Sequence, residues 1–136
     1  MSVRVLIIDD SKVVRRSVEH SLAGAGYSVV AAADGSEGVR LWQETQPELV
    51  ITDIMMPERD GIETMMEIRR HCPQAKIVAM TGFRHSGSVD FPEMLRRLGA
   101  DDVLTKPFAP DVLLAAVDRL LAAGKRATAR IDQSAA

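Results

Sequence analysis

Cysteine is nearly absent: Cys72 is the only one in 136 residues. A lone thiol cannot close an internal disulfide, which points to a reducing, cytoplasmic setting. Neither sign of charge dominates. Seventeen Lys and Arg face nineteen Asp and Glu for a net charge of −2, so no global positive field draws the chain to nucleic acid or anionic lipid. No apolar run approaches the roughly 20 residues of a membrane span. The opening MSVRVLIIDDSK puts acidic residues straight after a short apolar stretch, unlike a signal peptide. No repeat or second domain is visible. What is present fits one globular domain: 46% hydrophobic and 26% charged residues argue against disorder. A chain of this length buries roughly two thirds of its unfolded surface, enough for a core without staples.

Five short β-branched runs recur along the chain: Val3 to Ile8, Ser28 to Ala32, Glu48 to Thr52, Lys76 to Met80 and Asp102 to Leu104. The stretches between them have helical character. The last is the clearest, with Leu113, Ala116, Val117, Leu120 and Leu121 on one face and Pro110 suited to the first turn. The first puts Val14, Val18 and Leu22 on one face, Arg15, Arg16 and Glu19 on others, and ends near Gly24 or Gly26. Between Gly82 and Leu98 the pattern is less regular, and Pro92 is expected in the first turn of a shortened helix. Strands alternating with helices predict an α/β, doubly wound, five-stranded parallel sheet over residues 1–123. Residues 124–136 read as a flexible C-terminal tail.

Ligands of such sheets bind beyond the carboxyl ends of the strands, and four of the five ends carry reactive groups. They are Asp9-Asp10, Asp53, Thr81, and Lys106-Pro107 after Thr105. Singly, each has a plain structural use: a strand-end Asp commonly caps the next helix, and Thr81-Gly82 is ordinary turn chemistry. Jointly they are harder to explain that way, because clustered carboxylates repel and resist desolvation. If the first and third strands are neighbours, three carboxylates and the Lys106 ammonium leave two uncompensated negative charges. One divalent cation would neutralise them, and hard oxygen ligands suit Mg2+.

The set LIIDDS at 6–11, DG at 34–35, PELVITDIMMPERDGIE at 47–63, IVAMTG at 77–82 and GADDVLTKPF at 99–108 resembles the response-regulator receiver domain of bacterial two-component signalling. The likeness extends over roughly residues 3–123. It implies the (βα)5, flavodoxin-like receiver fold and a non-enzymatic phosphoacceptor role. Asp53 would be the phosphoryl acceptor, Asp10 and Asp53 with the Met55 carbonyl would bind Mg2+ directly, and Asp9 would act through water. Thr81 and Lys106 would meet the phosphoryl oxygens, with Lys106-Pro107 expected in the cis form. The implied partners are a sensor histidine kinase or histidine phosphotransfer protein, docking over the first helix near Asp10, Lys12 and Val13 and the loop after the last strand. A downstream protein target is also implied, with no direct contact to nucleic acid or membrane and a monomer or weak dimer as the state.

Two features depart from the family pattern. Receivers usually carry Tyr or Phe where this chain has Val103, three residues before Lys106, so the usual coupling of Thr81 to an aromatic ring cannot operate unchanged. The segment from Gly82 onward is longer than usual, and Phe83 or Phe91 there could cover the core or replace the missing ring. Met55 and Phe83, two residues beyond Asp53 and Thr81, are apolar and are expected to slow hydrolysis of an acyl phosphate. His20 and His71 read as solvated, Cys72 as an inert thiol, and the Met55-Met56 and Met65-Met66 pairs as flexible packing. A dinucleotide or flavin site would need a phosphate cradle after the first strand, where Asp9-Asp10 would repel it. The dehalogenase-type phosphatase pattern alternates its acids, unlike DDS here. The remaining alternative is a receiver-like interaction module that signals without phosphorylation. With no output domain following in this sequence, a protein contact or onward phosphotransfer is the expected output.

Overall fold

The five apolar runs form one parallel sheet in the computed structural model. It describes residues 2–55, 61–82 and 84–135, and side chains for all of these except Ser86 and residues 124–135. The strands β1 (Arg4–Ile8), β2 (Ser28–Ala32), β3 (Leu49–Asp53), β4 (Lys76–Thr81) and β7 (Asp102–Thr105) lie in the order β2-β1-β3-β4-β7. Every pairing in this sheet is parallel. Helices α1 (Lys12–Gly24), α2 (Gly35–Thr45), α3 (Gly61–His71), α4 (Phe91–Leu98) and α5 (Pro110–Ala135) connect and follow the strands. The doubly wound fold expected from the alternating pattern is the one observed. No helix among the described residues is long and apolar enough to cross a membrane.

Strand residues alternate between two cores because successive side chains leave a strand on opposite faces. Leu6, Ile8, Val50, Ile77, Ala79 and Val103 face one way, with Val39, Met65, Ile68 and Leu95 from α2, α3 and α4. Val5, Ile7, Leu49, Ile51, Val78, Met80 and Leu104 face the other, with Val18 and Leu22 of α1 and Leu113, Ala116 and Val117 of α5. Both faces being covered explains why the strands read as nearly continuous apolar runs.

The irregular segment before α4 holds a small antiparallel hairpin, β5 (His85–Ser86) and β6 (Val89–Asp90), turning at Gly87 with φ +60°. Asp90 closes it and caps α4, its carboxylate accepting the Glu93 N–H at 3.1 Å, with Pro92 in the first turn as expected. The hairpin takes up the extra length of this segment. At the other end of the chain, the α5 backbone stays helical through residues read as a tail. Ala, Lys and Arg there are strong helix formers, and only Gly124 opposes them.

At the amino-terminal edge of the sheet a single side chain ties four segments. The Arg69 guanidinium donates to the carbonyls of Pro73, Ala75 and Gly99 and pairs with Asp101 at 3.1 Å. Asp101 also accepts the Ile77 N–H at 2.8 Å. Removing the guanidinium leaves partly buried carbonyls without their donor. Arg69→Ala is expected to lower the unfolding free energy in urea by about 2 kcal/mol; a change below about 0.5 kcal/mol, the range of an ordinary surface substitution, would contradict the clamp.

Candidate functional site

The sheet order brings the acidic groups together. β1 and β3 are neighbours with Ile8 opposite Thr52, so Asp9 and Asp53 emerge side by side at the carboxyl rim. This is where the strand order reverses direction, the place such folds bind ligands. Carboxylate oxygens of Asp9, Asp10 and Asp53 lie within 4.8 Å of one another. Lys106 follows β7 and reaches back over β4: its Nζ is 2.8 Å from Asp9 Oδ2 and 3.3 Å from Asp53 Oδ1. Its main-chain N–H donates to the Thr81 carbonyl at 2.7 Å, fastening the ends of β4 and β7. The Lys106–Pro107 bond is cis.

The two adjacent acids differ in their surroundings. Asp9 is fully buried, and both its carboxylate oxygens are engaged, Oδ1 by the Ser11 N–H at 2.8 Å and Oδ2 by Lys106. Asp10 is exposed. Capping of α1 falls to Ser11, whose hydroxyl accepts the Val14 N–H at 3.3 Å, so Asp10 is not used as the cap that a strand-end Asp commonly becomes.

Burial raises the Asp53 carboxyl above the ordinary Asp range, with the charge of Asp9 adding to it and Lys106 working against it. Burial alone would lower Lys106; the hydrogen bond to Asp9 and the charges of Asp53 and Asp9 outweigh it and raise the ammonium. Lys106 therefore stays charged beside acids that its one charge does not fully offset.

Gly61 at the start of α3 packs on the main chain of the central acid. A Cβ there would meet the Asp53 carbonyl oxygen at 1.8 Å, and the Gly61 N–H donates to the Ile54 carbonyl at 2.9 Å. Any side chain at this position must displace Asp53. Reading residues one at a time missed Gly61; only its place in the run after Asp53 hints at it.

The other site candidates separate by location. Thr81 is buried at the end of β4, Met55 is 62% exposed beside Asp53, and Gly82 is exposed. Val103 lies apart from the rim, buried beneath α4 with Ala79 and Leu95. Phe83 and Met56 lie outside the described residues. Phe91 is half-buried at the start of α4, its N–H donating to the Arg84 carbonyl at 2.9 Å.

The donors gathered here are hard oxygens around a net negative charge, which suits a small divalent cation such as Mg2+ and not a soft metal. Fold and site together define a receiver-type signalling domain. The sequence matches the response regulator receiver domain family over residues 5–118. The chain belongs to that family and is the receiver domain of a response regulator in two-component signalling.

It is 42% identical over 123 residues to Response regulator MprA of Mycobacterium sp. (strain KMS), covering 89% of this chain and 51% of that protein. MprA of Mycobacterium tuberculosis (strain ATCC 25177 / H37Ra) is 41% identical over the same length. The chain thus spans about half the length of the curated relatives it matches. Among solved structures, chemotaxis protein CheY4 of Vibrio cholerae is similar at 32% identity and a TM-score of 0.79, with 88% of this chain and 99% of that one covered. A response regulator receiver domain protein from Clostridium thermocellum is similar at 27% identity and a TM-score of 0.82, covering 90% and 97%.

The raised Asp53 carboxyl has a consequence for stability. A carboxyl that binds its proton more tightly folded than unfolded adds stability below its unfolded value and loses it as pH rises through the folded one. At neutral pH the ionised Asp53 is therefore a liability to the metal-free fold. Asp53→Asn is expected to melt higher than the parent at pH 7 without metal, the gain shrinking as pH falls toward about 4. A midpoint no higher than the parent's at pH 7 would contradict this electrostatic balance.

Proposed function

We propose that Asp53 accepts a phosphoryl group from a phosphohistidine on a sensor histidine kinase or histidine phosphotransfer protein. The observation that carries this reading is the Lys106 ammonium spanning Asp9 and Asp53 within a cluster of three acids. An Asp53 oxygen attacks phosphorus in line, the new P–O bond forms as the P–N bond to histidine breaks, and the histidine leaves with that electron pair. Asp10, Asp53 and the Met55 carbonyl would hold Mg2+ directly. Asp9 would act through water, in keeping with both its carboxylate oxygens already being engaged. Bound there, the cation would offset the repulsion between the incoming phosphoryl group and Asp53.

Lys106 stays protonated and pairs with a phosphoryl oxygen, exchanging part of its contact with Asp53 for the new group. Thr81, at the end of the neighbouring strand, donates its hydroxyl to another. Positioning and charge stabilisation supply most of the rate in such transfers. The modified Asp53 brings about −1.5 to −2 charge and three acceptor oxygens to a buried rim. Its effect would pass to the α4 face and control a protein partner there. Val103 has no ring to rotate, so the segment carrying Phe83, the β5–β6 hairpin and Phe91 is the proposed relay, with Gly82 as its pivot.

The donor protein would dock over α1 and the loop after β7, where Val13 is 79% exposed and a groove of about 240 Å3 is lined by Val13, Ser17, Lys106 and Phe108. Residues 1–123 are proposed as the receiver unit, with 124–136 as a tail, and a monomer or weak dimer as its state. The chain's activity is proposed to be confined to its own phosphotransfer and dephosphorylation, in a cytoplasmic setting. A second reading, an interaction module that works without phosphorylation, is favoured by Val103 alone.

A small-molecule phosphoryl donor with Mg2+ separates the two. The chain is expected to gain the mass of one phosphoryl group, and Asp53→Ala to gain none; an unmodified parent supports the second reading. Met55 sits where attacking water would approach, so Met55→Asn is expected to shorten the acyl-phosphate lifetime several-fold, followed by loss of the mass increment with time. An unchanged lifetime would remove Met55 as a gate.

A further inference from the structure

We infer that Arg15 is a positioning residue for the acidic site, setting the direction in which Asp10 presents its carboxylate to a divalent cation. This rests on the reading of the cluster as a Mg2+ site. The helical pattern places Arg15 away from the apolar face of α1, yet its guanidinium turns back and donates to the Asp9 carbonyl oxygen at 2.8 Å. Arg15 is half-buried, whereas its neighbour Arg16 is exposed.

The Asp9 carbonyl belongs to the peptide unit that joins Asp9 to Asp10. Because that unit is planar, fixing its oxygen fixes the plane from which Asp10 departs. The rest of Asp9 is already held. Its N–H donates to the Ala32 carbonyl at 3.1 Å, and its two carboxylate oxygens accept from Ser11 and Lys106. The Arg15 contact completes a set in which every polar group of Asp9 has a partner. Asp10, exposed at the rim, inherits its orientation from that frame.

The sign of the effect separates positioning from charge. A cation near an acidic cluster opposes binding of a second cation, so Arg15 acting only through its charge would weaken Mg2+ affinity, and its removal would tighten it. As a positioning group its removal weakens binding, by roughly tenfold for the loss of such an outer partner.

Isothermal titration of the full chain with MgCl2 tests this on the parent, Arg15→Ala, Arg15→Lys, Arg15→Gln, Arg16→Ala and Asp10→Asn, with urea unfolding of each in metal-free buffer. The expected result is a dissociation constant about tenfold weaker for Arg15→Ala. Arg15→Lys and Arg15→Gln should recover part of the loss through their remaining donors, and Arg16→Ala should match the parent. Should Arg15→Ala fail to fold, weaker binding by folded Arg15→Gln than by Arg16→Ala supports the positioning role equally. Affinity equal to or tighter than the parent's in folded Arg15 variants overturns the inference. If the parent binds no more Mg2+ than Asp10→Asn, the metal-site reading itself fails, and the role of Arg15 falls with it.

Discussion

The ion pair of Lys106 with Asp9 and Asp53 is the interaction on which the rest of the site depends. Three carboxylates within 4.8 Å of one another, one fully buried and one nearly so, repel strongly and resist desolvation. One ammonium answers part of that repulsion, and the raised Asp53 carboxyl records what is left over. The cluster is costly to the metal-free fold, and its chemistry is the recruitment of positive charge. Stability and function pull in opposite directions at this rim, as is common where a fold carries a reactive site.

The sheet makes the cluster unavoidable. Because β1 sits between β2 and β3, the chain leaves the sheet in opposite directions on the two sides of the β1/β3 seam and opens a crevice there. Asp9 and Asp53 stand on that seam by register, and Lys106 arrives from β7 across β4 because its N–H is fastened to the end of that strand. Gly61 lets α3 approach the main chain of Asp53 closely. The site is thus held by main-chain contacts that substitution of an acidic side chain leaves in place.

Much of this was legible in the sequence because reactive residues at the ends of apolar runs are chemically conspicuous. Asp9, Asp10, Asp53, Thr81 and Lys106 all stand at the carboxyl rim where the runs end. The strands themselves are displaced from those runs by no more than a residue, since hydrophobicity marks burial while hydrogen bonding sets the ends. What periodicity could not supply is the path of a long side chain. Arg15 counts as a polar-face residue by its helical position, but its guanidinium folds back onto a strand-end carbonyl. The β5–β6 hairpin escaped for a different reason: two-residue strands are too short to alternate, so Gly82 to Asp90 reads only as irregular. Ser11 outcompeting Asp10 for the helix cap is likewise invisible until the backbone places both.

Anomalous scattering from crystals of this chain grown with Mn2+, an oxygen-preferring stand-in for Mg2+, tests the central claim most directly. One strong peak is expected, bounded by the Asp10 and Asp53 carboxylates and the Met55 carbonyl, with Lys106 still beside Asp9. Mn2+ bound only elsewhere on the surface, with the three acids empty, would contradict it.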